Sequence, residues 1–157
     1  MNYRLAQEAA FPAGLSDCKA AIRYLRAHAD VYGFDAEKAA VWGESAGGYL
    51  AVMCAVTDDT EFMDVRYTDQ ETFGDVSAKV SVMADYYGVI DRGEMTGDCD
   101  ITVPYLHSER LYEHLCEKTE ADNTVFHLVP DMGHAACGLY TDEMLTELKN
   151  YLDEKLG

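Results

Sequence analysis

No apolar run in this chain approaches the ~20 residues that a helix needs to cross a bilayer. The first residues, Met1-Asn2-Tyr3-Arg4, carry no apolar core of the kind a secretory signal requires. Basic residues are scarce as well: 12 Lys plus Arg stand against 29 Asp plus Glu, a formal charge of -17. Such a surface repels phosphate backbones and anionic lipid, which argues against nucleic-acid and membrane-surface binding. There is no C-x-x-C pair, and the five cysteines (Cys18, Cys54, Cys99, Cys116 and Cys137) are an odd number. That combination speaks against a disulfide framework and for reduced, mostly buried thiols in a cytoplasmic protein. Internal repeats and low-complexity tracts are also missing.

What is present suffices for one globular domain over residues 1–157, since 48% of residues are apolar. Apolar periodicity predicts a helix over 15–29, with Ser16 or Asp17 as its N-cap and Ala21, Ile22 and Leu25 facing inward. Tyr32-Gly33-Phe34-Asp35 breaks that helix and leads to a short buried strand over 39–42. A helix over 46–56 comes next, then a polar, acidic loop over 57–75 containing one helical turn. A second strand is expected over 78–87, and an amphipathic helix over 104–118 with Leu106, Leu111 and Leu115 at helical spacing. A third strand over 124–129 and a closing helix over 141–156, with Met144, Leu145, Leu148 and Leu152 inward, complete the chain. Alternating strands and helices imply an α/β fold with a mostly parallel sheet, whose sites form at the carboxyl ends of the strands.

At one such end stands Val41-Trp42-Gly43-Glu44-Ser45-Ala46-Gly47-Gly48, which contains G-x-S-x-G. A nucleophilic serine must project from a very sharp strand-to-helix turn, where the backbone is strained. Glycines two residues before and after it, Gly43 and Gly47, remove Cβ atoms that would collide across the turn. Glu44 fills the variable position, and the N–H of Ala46 points toward a developing oxyanion.

A hydroxyl becomes a useful nucleophile only when a base takes its proton. His28, His107 and His114 fall in predicted helices, where a solvated or half-buried side chain is expected, and His127 alternates within a strand. His134 differs, because it follows the third strand in the short loop Asp131-Met132-Gly133-His134-Ala135, on the same sheet edge as Ser45. It is the expected base. A carboxylate between the two in chain order should orient it. Asp100, in a loop just ahead of a helix, is the candidate of choice, with Asp98, Asp85 and Asp91 as alternatives. Asp98 and Asp100 could equally cap that helix. A calcium reading of Asp98, Asp100, Thr102 and Glu109 fails, because Val103 and Pro104 occupy the positions where the sharp turn is needed.

Together these residues resemble the α/β-hydrolase fold, in its carboxylesterase and acetyl-esterase-like branch related to hormone-sensitive lipase. The resemblance starts at Tyr3-Arg4-Leu5, like the end of a sheet strand, and continues through Phe11-Pro12-Ala13 and Ile22-Arg23-Tyr24-Leu25-Arg26. It is strongest at residues 42–48, and Gly97-x-x-Asp100-x-x-Val103-Pro104 and Gly133-His134 resemble the acid and histidine loops. The resemblance implies Ser45 as nucleophile, Asp100 as acid and His134 as base. It also implies a shortened chain: the His-Gly-Gly-type oxyanion loop and the first strands have no counterpart. Polar residues 88–96 stand where an apolar strand ending in His-Gly should be, with Thr96 at the histidine's place. Ser45 and Asp100 are therefore only 55 positions apart. A three-layer α/β-hydrolase-like sheet, incomplete relative to the family, is the expected architecture.

The expected activity is hydrolysis of small, uncharged carboxylic esters through an acyl-enzyme, with no metal and no cofactor. A catalytically impaired hydrolase-like binding module is the main alternative, its exposed sheet edges favouring homo-oligomers or a partner chain. A thioesterase or peptidase using the same triad is the other.

Overall fold

The computed structural model describes residues 1–67, 72–89, 102–103, 105–118, 124–129, 131–135 and 137–157. These fall into two compact units, one comprising residues 1–41, 50–83 and 156, the other 42–49, 84–155 and 157.

In the first unit, α1 (Ala13–Ala27) begins directly after Pro12, and the short α2 (Ala29–Tyr32) ends at Gly33 with φ 75°. The expected N-caps are used otherwise. The Ser16 hydroxyl accepts from the Asp64 N–H at 2.7 Å, and the Asp17 carboxylate takes the Arg4 guanidinium at 2.6 Å and the Tyr67 hydroxyl at 2.9 Å. The inner face of α1 also differs from the expectation. Leu15, Ser16, Lys19 and Arg23 are buried, while Leu25 is 47% exposed.

The physical reason lies in the acidic loop. Loop carbonyls taken out of water need donors, and the cationic face of α1 supplies them. Lys19 Nζ donates to the carbonyls of Asp58 (2.6 Å) and Glu61 (2.8 Å). Arg23 donates to those of Val76 (2.8 Å) and Asp59 (2.5 Å), and Arg26 to those of Ala36, Ser77 and Lys79. Positions 19, 23 and 26 share one helix face. Burial holds both Lys19 and Arg23 below their ordinary pKa. The loop's one helical turn is a 3-10 turn, Val65–Tyr67. Leu50, Ala51, Val52 and Cys54 of α3 (Ala46–Val56), with Ala13, Ala29, Ala78 and Val82, make up the rest of this core.

Two strands are present among the described residues, β1 (Ala40–Glu44) and β2 (Val82–Tyr86), hydrogen-bonded to each other. They run parallel. In the first unit the Ser81 N–H donates to the Ala39 carbonyl at 2.8 Å, and in the second the Ser45 N–H donates to the Tyr86 carbonyl at 2.9 Å. Residues 3–5 form no strand; Arg4 is held by Asp17 instead.

The second unit contains α4 (Leu106–Lys118), a 3-10 turn over Cys137–Tyr140, and all but the last residue of α5 (Asp142–Leu156). Thr141 caps α5 by accepting the Met144 N–H at 3.3 Å, and Met144, Leu145, Leu148 and Leu152 are half-buried, as expected. His107 departs from the expectation and is buried. So does the third strand: residues 124–129 carry no strand pairing. Alternation prepares a strand, but a ladder also needs a neighbouring backbone in reach. This segment packs by side chains instead. Phe126 stacks on Tyr112 of α4 with centroids 5.7 Å apart, and His127 Nε2 meets Glu147 of α5 at 3.1 Å.

Candidate active site

Every described residue of the candidate site belongs to the second unit. β1 delivers Trp42, Gly43 and Glu44, and the chain then turns at Ser45, whose φ of 50° is left-handed. A non-glycine residue there is strained by its own Cβ and persists only where neighbours over-determine it. The neighbours are on hand. The Tyr86 carbonyl accepts the Ser45 N–H, and the Ser45 carbonyl accepts the Tyr49 N–H at 3.1 Å as α3 begins at Ala46.

Gly43 is required by close approach. A Cβ there would lie 2.0 Å from the Gly47 carbonyl oxygen. Gly47 itself would tolerate a Cβ, which meets nothing within 4 Å, so the expected clash at both flanking glycines holds only at Gly43. The second tight position is Gly48, where a Cβ would come within 2.2 Å of Asp85 Oδ1.

His134 Nε2 lies 3.0 Å from Ser45 Oγ, bridging 89 positions of sequence. Left-handed residues on either side of Gly133-His134, Asp131 (φ 61°) and Ala135 (φ 56°), make this loop turn sharply. Of the other histidines in this unit, His107 is buried in α4, His114 lies beside Glu117 and His127 beside Glu147. His28, in the other unit, stacks on Tyr24.

Asp100, Asp98 and Asp91 lie outside the described residues. Asp85 lies within them and does not serve His134: its Oδ2 accepts from Ser108 Oγ at 3.3 Å, and its Oδ1 is buried with no hydrogen-bond partner. Burial pushes the Asp85 carboxyl up to about 6, against the opposing pull of the Ser108 hydroxyl and the Gly88 backbone N–H.

Sequence reasoning passed over a group of tyrosines beside this pair. Tyr87 follows β2 with φ 45°, and its ring meets the His134 imidazole edge-to-face at 4.7 Å. Its hydroxyl donates to Glu44 Oε2 at 2.9 Å and shares a 2.5 Å hydrogen bond with the Tyr140 hydroxyl. Tyr140 stacks on Tyr86 at 5.7 Å, and Tyr86 leans on the half-exposed Trp42 at 5.2 Å. Burial first, then these hydrogen bonds, raise the Tyr87 hydroxyl well above the ordinary tyrosine pKa. The available signal was the position of Tyr86-Tyr87 at the carboxyl end of a strand. A hollow of about 310 Å³ is lined by Trp42, Gly43 and Glu44. No cluster of three or more metal-ligating side chains occurs among the described residues, and none of their helices is long and apolar enough to cross a membrane.

The family model BD-FAE matches residues 1–105, most of the chain. This chain belongs to the BD-FAE family. Among curated proteins it resembles the probable carboxylic ester hydrolase LipM of Mycobacterium tuberculosis, 33% identical over 91 residues, which are 58% of this chain and 20% of LipM. The match thus spans about a fifth of that relative's length. Among solved structures it is similar to a truncated carbohydrate esterase from gut microbiota, with TM-score 0.81 and 20% identity over 99% of this chain and 72% of that one. It is also similar to MGS-M1, an α/β-hydrolase enzyme from a Medee basin deep-sea metagenome library. There the TM-score is 0.70 and the identity 23%, over 98% of this chain and 69% of the other. The two-stranded parallel sheet with its helices is an incomplete α/β-hydrolase fold.

Proposed function

We propose that this BD-FAE chain hydrolyses small, uncharged carboxylic esters by covalent catalysis at Ser45. The observation that carries the reading is the 3.0 Å approach of His134 Nε2 to the Oγ of a serine held at φ 50°. Both the distance and the strain suit a nucleophile presented to its base. The relatives' names, a carboxylic ester hydrolase and a carbohydrate esterase, support an ester as the scissile group.

In the proposed cycle His134 Nε2 takes the proton of Ser45 Oγ as the oxygen attacks the ester carbonyl carbon. The tetrahedral oxyanion forms next to the first turn of α3, where the Ala46 N–H is the nearest backbone donor in sequence. His134 then gives its proton to the departing alcohol oxygen, leaving an acyl group on Ser45. A water, deprotonated by His134, attacks the acyl carbon, and the released Ser45 oxygen takes the proton back. Asp100 is proposed as the carboxylate that orients His134 and stabilises its imidazolium. No metal or organic cofactor enters this scheme. A formal charge of -17 disfavours anionic substrates. We place the protein in the cytoplasm, a compartment that keeps free thiols such as Cys18, Cys54 and Cys116 reduced.

The test is intact-mass spectrometry after exposure to a fluorophosphonate, with Ser45→Ala and His134→Ala as controls, followed by hydrolysis of p-nitrophenyl acetate across pH 5–8. A single adduct lost in Ser45→Ala, and a kcat/KM that rises with pH as a histidine base deprotonates, are expected. A folded protein that forms no adduct would refute the reading and leave a hydrolase-like binding module. Thioester and peptide substrates, run beside the ester, separate the reactions that this machinery could share.

A further inference from the structure

Catalysis by Ser45 and His134 assigns no part to the tyrosines packed around them, yet one of these bears the marks of a built device. Tyr87 is an aromatic residue in the left-handed region, a strained placement that needs compensation from its surroundings. The compensation comes from both ends of its side chain. At one end the hydroxyl is tied to Glu44, the residue just before Ser45, and to Tyr140, the residue just before the N-cap of α5. At the other the ring lies 4.7 Å from the imidazole of His134, at 68°. The neighbouring residue takes part as well, because the Tyr86 carbonyl accepts the Ser45 N–H and the Tyr86 ring stacks on Tyr140. The dipeptide Tyr86-Tyr87 therefore touches both members of the pair, one through its backbone and the other through its ring.

The hydroxyl itself has no proton to trade. Its hydrogen bonds are committed to Glu44 and Tyr140, and its pKa is driven upward, so it stays a neutral donor. That leaves a mechanical part. Rotation of the imidazole about its side-chain bonds carries Nε2 away from the serine oxygen, 3.0 Å off in this structure. A ring clamped beside it restricts that rotation.

We infer that Tyr87 is a positioning residue: its ring, anchored through the hydroxyl to Glu44 and Tyr140, braces the His134 imidazole so that Nε2 stays aimed at Ser45 Oγ. This rests on the function proposed above, in which His134 is the base. Misplacing a reacting group by about 1 Å can cost ~10²-fold in rate, which sets the scale of the expected effect.

The test compares Tyr87→Leu, which removes the ring, with Tyr87→Phe, which keeps the ring and removes the anchor. Tyr140→Phe, which weakens the anchor from a residue other than the brace itself, is the third variant. Two readouts are taken: saturation kinetics of fluorophosphonate labelling at Ser45, and the imidazole proton shifts of His134 by NMR. Tyr87→Leu should lower the maximal labelling rate between about tenfold and 10²-fold while half-saturation changes by less than about twofold. Tyr87→Phe and Tyr140→Phe should fall in between. The His134 ring protons should lose their ring-current displacement in Tyr87→Leu and keep it in Tyr87→Phe.

An unchanged maximal labelling rate in Tyr87→Leu, whatever the imidazole shifts do, would overturn the inference while leaving Ser45 an active nucleophile. Wild-type protein that resists labelling, yet whose imidazole shifts respond to Tyr87→Leu, would refute the hydrolase and keep the brace. If Tyr87→Leu does not fold, Tyr140→Phe decides: a normal labelling rate there would count against the anchored ring.

Discussion

Asp85→Asn is expected to stabilise this protein at neutral pH, and the effect should vanish in acid. One carboxylate oxygen of Asp85 is buried without a partner, and the other accepts a single 3.3 Å bond from Ser108. Desolvation raises its pKa from the ordinary 3.8 to about 6. Because the folded pKa lies above the unfolded one, folding favours the protonated acid. The ionised group therefore weakens the fold above pH ~6, and that penalty fades as pH falls toward ~4. Two units at about 1.4 kcal/mol each set a ceiling near ~3 kcal/mol, and the group's remaining contact with solvent brings the expectation to ~1–3 kcal/mol.

Asparagine keeps the volume and an oxygen for the Ser108 hydroxyl, but it carries no charge. For a chain of this size each kcal/mol moves Tm by ~2–4 °C, so a gain of several degrees is expected. Urea denaturation of wild type and variant at pH 7.5 and pH 4.5 checks it. The variant should be the more stable at pH 7.5, and its advantage should shrink to about a third of that at pH 4.5, where the unfolded carboxyl is still largely ionised. An equal difference at both values, or a variant destabilised at pH 7.5, would refute the burial argument.

Three further outcomes follow from other parts of the structure. Gly43→Ala places a Cβ 2.0 Å from the Gly47 carbonyl oxygen, and should cost at least ~2 kcal/mol in chemical denaturation and abolish fluorophosphonate labelling. Lys19→Met removes the two donors that hold the Asp58 and Glu61 carbonyls, and should cost ~1–3 kcal/mol and raise amide hydrogen exchange selectively across residues 57–67. Asp100→Asn should lower kcat on p-nitrophenyl acetate by ~10⁴-fold, while Asp98→Asn and Asp91→Asn leave it near wild type; equal losses in all three would remove Asp100 from its proposed place.

The serine turn was legible in the sequence because its causes are local. A strand running into Gly43-Glu44-Ser45-Ala46 must turn sharply, and the collision that Gly43 avoids is with a residue four positions on. Helix ends such as Gly33 and Thr141 were legible for the same reason: their partners stand within four residues. His134 was reachable because a histidine in a loop after an apolar segment points to a strand's end, although that segment forms no strand.

The inner face of α1 was not legible. Hydropathy turned Leu25 inward, whereas the backbone carbonyls of a distant loop drew Lys19 and Arg23 into the interior. Nor was the brace around His134, since Tyr87 reaches Glu44 and Tyr140 across 43 and 53 positions. By itself, then, the sequence determined the class of fold, the serine turn and the histidine expected beside it, from alternation, turn residues and chain order. Which polar groups are buried and what holds His134 beside the serine were decided only by tertiary structure. Those depend on which distant backbone and side-chain groups are brought within hydrogen-bonding distance, and no local pattern encodes that.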